Sequence, residues 1–398
     1  MQISRQPPAH LTYCLNVHPG EALADQVAAI RSHAVSIRDA VAPGARFGLG
    51  LRLSNRASLE LESGPSLDGL KALLAEQDMY VFTVNGFPFG DFHGAAVKEK
   101  VYSPDWRAPE RRDYTCRLAR QLSAILPENV SGSISTVPGS YKAWIYSPAD
   151  VEAMVNNLAD VTVCLAEIHR KSGKEIQLGL EPEPDCYLET TAETIDFFTR
   201  HLWPQGSRRV ASALGCSVGE AEALLRRHVG VCFDTCHLAL QFEDLGVSLE
   251  RLIAQGIRIS KIQISVALRT LWNSGTAEAL RPFCDPVYLH QVKTLTDGRS
   301  LSRGDLELAL AEPEAKGGEE WRIHCHVPLY FAGDGGIAST ADQLTPDLFR
   351  KALASMVEHF EIETYTFDVL PKSLRKLGVE RSIAEEYRWV LARLPGRG

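Results

Sequence analysis

A (β/α)8 barrel is the fold class that this sequence predicts, on three observations. Short apolar or β-branched runs recur eight times, each followed by a polar tip and a stretch with helical period. Carboxylates, amides and imidazoles gather at those tips. The 398 residues show no internal repeat, no low-complexity tract and no clean break, so 1–398 reads as a single domain of the size such barrels reach with insertions.

The first run is Leu11–Val17, tipped by His18, and Ala22–Ala40 follows with helical spacing. The second is Phe47–Leu53, whose glycines fit a crowded barrel strand, with a helix at Leu67–Gln77. The third, Met79–Val84, is tipped by Asn85. It leads into a Gly/Pro/aromatic stretch to about Trp106 that holds His93, Lys98 and Tyr102. That stretch is too long for a plain connection and reads as an active-site loop. Arg111–Leu126 is helical. The fourth run, Gly132–Val137, is tipped through Tyr141 and Lys142, and Ala149–Lys171 is a long amphipathic helix stopped by Gly173. The fifth, Ile176–Leu180, ends in Glu181-Pro182-Glu183. Helices are expected at Thr191–His201 and Val218–Arg227, with a loop around Pro204–Arg209.

The sixth run, Val229–Phe233, ends in Asp234, with His237 three residues on. After a short helix at Leu249–Gln255, the seventh is Ile259–Ile264, which contains Gln263. An insertion between strands 7 and 8, about 267–330, reads as irregular, with a helical piece near Gly304–Ala311 and a strand-like end at 322–329 carrying His324 and His326. Pro346–Glu358 is a helix, Phe360–Val369 the eighth run with Glu361 and Glu363, and Lys372–Arg393 a closing helix. No glycine fingerprint follows the first run and there is no GxxxxGK[ST] loop, which argues against nucleotide-binding folds.

Composition narrows the function. The chain is 45% hydrophobic with formal net charge -8, an acidity that argues against a nucleic-acid partner. No stretch has the ~18 uninterrupted apolar residues of a membrane span, and the N-terminus lacks the apolar segment of a signal peptide. Nine scattered cysteines, several inside apolar runs, suit buried free thiols and a cytoplasmic location. Cys232 and Cys236 have no second pair to complete a zinc knuckle.

In a barrel, all strand tips converge on one mouth. Glu181, Asp234 and Glu363 each end an apolar run, and gathering them without a cation would be electrostatically costly. A divalent metal (Zn, Mn or Mg) removes the conflict. Parity puts Glu361 and Glu363 on one face, with Glu363 nearer the tip. Pro182 breaks the fifth strand after Glu181, leaving Glu181 as the expected ligand and Glu183 as a substrate contact. Glu181 and Glu363 are also the expected catalytic carboxylates. His18, Asn85, Lys98, Tyr141 and His324 are further candidates to bind substrate, a small metabolite. His18 before Pro19 reads equally well as a structural histidine, and Tyr141-Lys142 as a solvated turn.

With DTCH at 234–237, IET at 362–364 and an apolar run ending in Glu181, the chain resembles the xylose isomerase-like TIM-barrel superfamily. More closely, CLNVHPGE (14–21), VKEKVYSPDW (97–106), GLEPEPDCYLET (179–190), KIQIS (261–265), HVPL (326–329) and ETYTFDVLP (363–371) resemble EboE-type metabolite-traffic proteins. The resemblance implies a metal-dependent isomerase or epimerase acting on a small polyhydroxylated or phosphorylated metabolite, and secondary-metabolite handling or export. It also leaves two alternatives: a zinc phosphodiesterase of the endonuclease IV type, and a non-catalytic metabolite-binding barrel. It implies metal ligands at Glu181, Asp234 and Glu363. The superfamily's strand-seven histidine falls on Gln263, for which His326 would compensate, and His237 matches the histidine of the endonuclease IV Asp-x-x-His pair. A homo-oligomer or operon-encoded partners are compatible with this reading.

Overall fold

The computed structural model describes residues 1–93, 97–296, 298–311 and 318–395. Its strands are β1 (Gln2–Arg5), β2 (Pro8–Tyr13), β3 (Phe47–Arg52), β4 (Met79–Asn85), β5 (Gly132–Thr136), β6 (Ile176–Leu180), β7 (Val229–Asp234), β8 (Ile259–Ile264), β9 (Leu268–Leu271), β10 (Gln291–Thr296), β11 (Arg299–Asp305), β12 (Glu320–Ile323), β13 (Ile337–Ser339) and β14 (His359–Ile362). Eight of them form a parallel barrel in the order β2, β14, β8, β7, β6, β5, β4, β3. A parallel bridge between Cys14 and Gly50 joins β2 to β3 and nearly closes the ring. The antiparallel β1 lies along the start of β2.

The apolar core lies between the barrel and its helices. Phe233, Ile262 and Phe360 sit side by side on neighbouring strands, fully buried, and Phe360 meets Phe349 of the outer helix Pro346–Ala354. By strand alternation their neighbours Asp234, Gln263 and Glu361, also in register, face the barrel interior. That interior is polar. Lys261 and Glu361, both fully buried, form an ion pair across it. Gly50 makes room: a Cβ there would lie 1.9 Å from Glu361 Oε1.

The insertion between β8 and β14 is a five-stranded antiparallel sheet, in the order β11, β10, β12, β9, β13. The expected irregular region is thus built around strands, and it runs past 330 because β13 pairs with β9. Its short polar strands lack the apolar runs that mark barrel strands. The strand-like stretch 322–329 shrinks to the end of β12, and the eighth barrel strand stops at Ile362 rather than Val369. Pro204–Arg209 is helical, not a loop: a wide turn over Phe197–Gly206 absorbs Pro204 and runs into the helix Ser207–Leu214. The closing helix begins only at Val379, after Gly378.

The inserted sheet is pinned over the barrel mouth. Lys293 Nζ donates to Asp185 Oδ1 (2.7 Å) and Glu189 Oε1 (2.5 Å), and Gln291 Nε2 donates to Pro184 O (3.1 Å) and the Tyr102 hydroxyl (3.2 Å). Lys98 Nζ donates to Asp305 Oδ2 (2.6 Å), and Val97 N to Val287 O (2.9 Å).

On the closing helix Val379–Leu391, Glu386 is buried and accepts from Leu329 N and the Thr364 hydroxyl. Burial pushes its carboxyl up from 4.5 to about 7. A carboxyl whose folded pKa is raised contributes stability that is full below the unfolded pKa and falls as pH rises through the folded value. Urea unfolding should therefore weaken between about pH 4.5 and pH 7. Glu386→Gln should flatten that decline and raise stability at pH 8 by about 1–3 kcal/mol.

Candidate metal centre

Glu181, Asp234 and Glu363 stand at the ends of β6, β7 and β14 and are all buried. Each presents one oxygen to the others, and these oxygens all lie within 4.8 Å of one another. Asp234 also caps the short helix Thr235–Leu240: its Oδ1 accepts from His237 N (3.0 Å) and the Ser265 hydroxyl (2.7 Å). Its Oδ2 is buried with no hydrogen-bond partner among the described residues, as is Glu181 Oε2. Glu363 is held through Oε1 by the side-chain amides of Asn16 (2.8 Å) and Asn85 (3.0 Å). The Asn85 amide is itself oriented, because its Oδ1 accepts from Phe87 N.

Burial, then the neighbouring carboxylates, pushes the Glu181 and Glu363 carboxyls well above their ordinary range. Lys261 is nearby but bound to Glu361. Burying three converging carboxylates without a counter-charge is unfavourable, so the donor set and its orphaned oxygens fit a divalent cation.

Three histidines surround this cluster. His237 Nδ1 donates to Pro182 O (3.1 Å), His326 Nδ1 to Glu363 O (2.8 Å) and His324 Nδ1 to Gln291 Oε1 (2.7 Å). Burial holds all three imidazoles below their ordinary pKa, His326 at about 4, so they are neutral. Asp234, His237 and His326 form a second set of close ligand atoms, and Glu183, His237 and His324 a third. Glu183 Oε1 accepts from the Tyr102 hydroxyl (2.8 Å), and burial raises its carboxyl to about 8.

The cavity above these groups encloses about 520 Å³ including the part open to solvent. Its floor includes Asn16, Asn85, Glu181, Glu183, His237, His324 and Glu363. Its upper wall is aromatic: Phe92, Tyr288 and Tyr365 contact one another with centroids 5.1–5.3 Å apart.

Other expected site residues lie elsewhere or are engaged. His18 is buried away from the cavity, stacked on His33 at 4.2 Å and bonded to the Tyr13 hydroxyl. Tyr141 stacks on Tyr102 beyond the wall (5.4 Å). Lys98 reaches the cavity, but Asp305 holds its ammonium. Gln263 faces the barrel interior, where its Oε1 accepts from the Cys232 thiol and its Nε2 has no partner among the described residues. An amide there supplies a donor facing inward where an imidazole would supply a ligand.

Sequence reading missed Asn16, Tyr288 and Tyr365. Asn16 lies two residues before His18 in a run read as strand, but the strand ends at Tyr13 and a single turn, Leu15–Val17, follows. Its backbone carbonyl accepts from His93 Nε2 (2.6 Å), whose Nδ1 accepts from the Tyr288 hydroxyl (2.7 Å). Tyr288 belongs to the insertion, where nothing in the sequence marks which residue reaches the mouth.

A barrel of parallel strands with carboxylates and imidazoles at the C-terminal mouth defines the class: the fold is that of the xylose isomerase-like TIM barrels. The chain is similar to a xylose isomerase-like TIM barrel protein from Mycobacterium smegmatis solved in complex with magnesium, at 11% identity and TM-score 0.52, over 98% of this chain and 97% of that one. Weaker likenesses include a D-tagatose 3-epimerase-like protein (14% identity, TM-score 0.48, 96% of this chain and 98% of that one) and the IOLI protein with a bound zinc atom (13% identity, TM-score 0.46, 97% and 99%). No protein-family model matches the chain, and no curated protein sequence matches it. Among the described residues no helix is long and apolar enough to cross a membrane.

Proposed function

We propose that the chain is a metal-dependent enzyme of the isomerase or epimerase kind, acting on a small, uncharged, polyhydroxylated metabolite. The observation that carries this reading is the convergence of Glu181, Asp234 and Glu363, buried, with orphaned oxygens on Glu181 and Asp234. A divalent cation held by these three would supply Lewis-acid polarisation of a carbonyl and its neighbouring hydroxyl.

The protein's own groups divide the remaining work. Glu363 is fixed and oriented by two amide donors. Glu181, whose Oε2 has no partner among the described residues, is the freer carboxylate and is placed to accept and return a proton at a substrate carbon. The aromatic wall excludes water and packs against the carbon skeleton. Among the described cavity-lining residues Lys98 is the one lysine or arginine, and it is committed to Asp305, so a phosphate would meet mainly carboxylates. This favours neutral polyols and keto sugars over their phosphates, and weighs against the phosphodiesterase alternative. The resemblance to EboE-type proteins supports secondary-metabolite handling as the setting.

Soaking crystals in Mn²⁺ and collecting anomalous data tests the reading. A peak between Glu181, Asp234 and Glu363 is expected, with D-fructose binding more tightly than D-fructose 6-phosphate to the Mn²⁺-loaded protein in calorimetry. Absence of any cation between those carboxylates would sink it.

A further inference from the structure

On the outside of the barrel, away from the mouth, we infer a dithiol site formed by Cys116 and Cys164, which a hydroperoxide converts to a disulfide. Cys116 lies on the helix Pro109–Ile125 after β4, and Cys164 on the helix Pro148–Ser172 after β5. The site is independent of the isomerase reading.

The register of the two helices brings the thiols together. Each helix returns from the mouth to the start of the next barrel strand, so the two run in the same direction, and they pack side by side. Arg112 Nη1 donates to Asp160 Oδ2 (3.4 Å), and the Ser123 and Ser172 hydroxyls lie 3.5 Å apart. Arg112 and Asp160 each stand four residues before a cysteine, while Ser123 and Ser172 stand seven and eight residues after one. Side chains at these spacings share one helix face. Cys116 and Cys164 therefore sit opposite each other between the two contacts, and the Cys116 thiol donates a hydrogen bond to the Cys164 sulfur. Neither is in a disulfide in this structure.

The surroundings give the two sulfurs different parts. Cys116 is buried and Cys164 half-buried. Both line a groove open to solvent, together with Arg112, Arg117, Arg120 and Lys171. Arg112 is bound to Asp113 and Asp160, and Lys171 to Glu167, whereas the Arg120 charge acts on both sulfurs. The hydrogen bond from Cys116, and after it the Arg120 guanidinium, holds the Cys164 thiol below its ordinary range. The same bond, with burial, pushes Cys116 up. A thiol packed in apolar surroundings is inert, but one at a cationic, partly exposed position is a nucleophile. Cys164 is thus the attacking sulfur and Cys116 the resolving one.

The chemistry takes two steps. The Cys164 thiolate attacks a peroxide oxygen: an S–O bond forms, the O–O bond breaks, and the departing alkoxide or hydroxide takes a proton from water. Cys116 then attacks the sulfenic acid on Cys164. An S–S bond forms, the S–O bond breaks, and water leaves with the Cys116 proton. The two thiols lose two electrons and the hydroperoxide gains them.

Full-length protein is reduced, freed of reductant and treated with hydrogen peroxide, then alkylated in denaturant and mapped by mass spectrometry. The wild type should lose two of its nine thiols in a single cross-link between Cys116 and Cys164, reversed by dithiothreitol. Cys216 and Cys284, half-buried as well, should stay alkylatable. Cys116→Ser should stop after the first step, with dimedone tagging Cys164. Cys164→Ser should leave Cys116 reduced at the same dose. The proposal is overturned if Cys116 and Cys164 both remain alkylatable after peroxide, if Cys216 and Cys284 oxidise as readily, or if the cross-link joins other cysteines. The cross-link map uses the wild type alone, so it decides even if a substitution prevents folding.

Discussion

Glu363→Gln is expected to abolish cation binding among the barrel carboxylates and, with it, turnover. A neutral amide would replace one of the converging carboxylates, and its NH2 group would point hydrogens where a cation needs lone pairs. Asn85→Ala provides the scale. It removes one of the two donors to Glu363 Oε1 without touching the ligand set, and loss of such an orienting contact lowers metal affinity by roughly 10–100-fold. Glu363→Gln should exceed that. Mn²⁺ calorimetry checks both variants. In the metal-free protein the Glu181 and Glu363 carboxyls are pushed up by burial and by nearby carboxylates, so they hold protons that binding must release. Affinity should therefore rise with pH, and the apparent enthalpy should vary with the ionisation enthalpy of the buffer. An affinity unchanged by Glu363→Gln would remove the residue from the site.

Lys261→Met should be the most destabilising single substitution inside the barrel. It leaves Glu361 unpaired among other carboxylates, and breaking a buried ion pair from one side costs about 3–5 kcal/mol. Replacing both partners, as in Lys261→Met with Glu361→Met, should recover most of the loss, because the uncompensated charge is gone. Urea unfolding of the single and double variants measures the difference. If the single variant lost less than about 1 kcal/mol, the pair would be ruled out as a structural element.

The barrel was legible because each of its strands presents an apolar face to the helices. Ile176–Leu180 and Val229–Phe233 are visible as runs, and the chemistry follows at their ends, where Glu181 and Asp234 emerge. Parity placed Glu361 and Glu363 on one face, and position along the strand separated Glu363, at the mouth, from Glu361, which is buried deeper beside Lys261. The inserted sheet gave no such signal. β10 reads QVKTLT and β11 RSLSRGD, short strands whose outer residues are exposed, so periodicity could not distinguish them from loop. The roles of Glu183 and His324 were hidden for a different reason. His324 is oriented by the side-chain carbonyl of Gln291 and Glu183 by the Tyr102 hydroxyl, groups that meet only in three dimensions. Gln263 shows the limit of analogy: family position suggested a ligand, while the structure gives its carbonyl to a thiol.

The clasp of Lys293 and Lys98 across the mouth bears on access to the site. The insertion lends Tyr288 and His324 to a cavity that stays partly open to solvent. Its anchoring therefore fixes the outline of the entrance, and two lysines far from the carboxylates help decide which molecules can reach them.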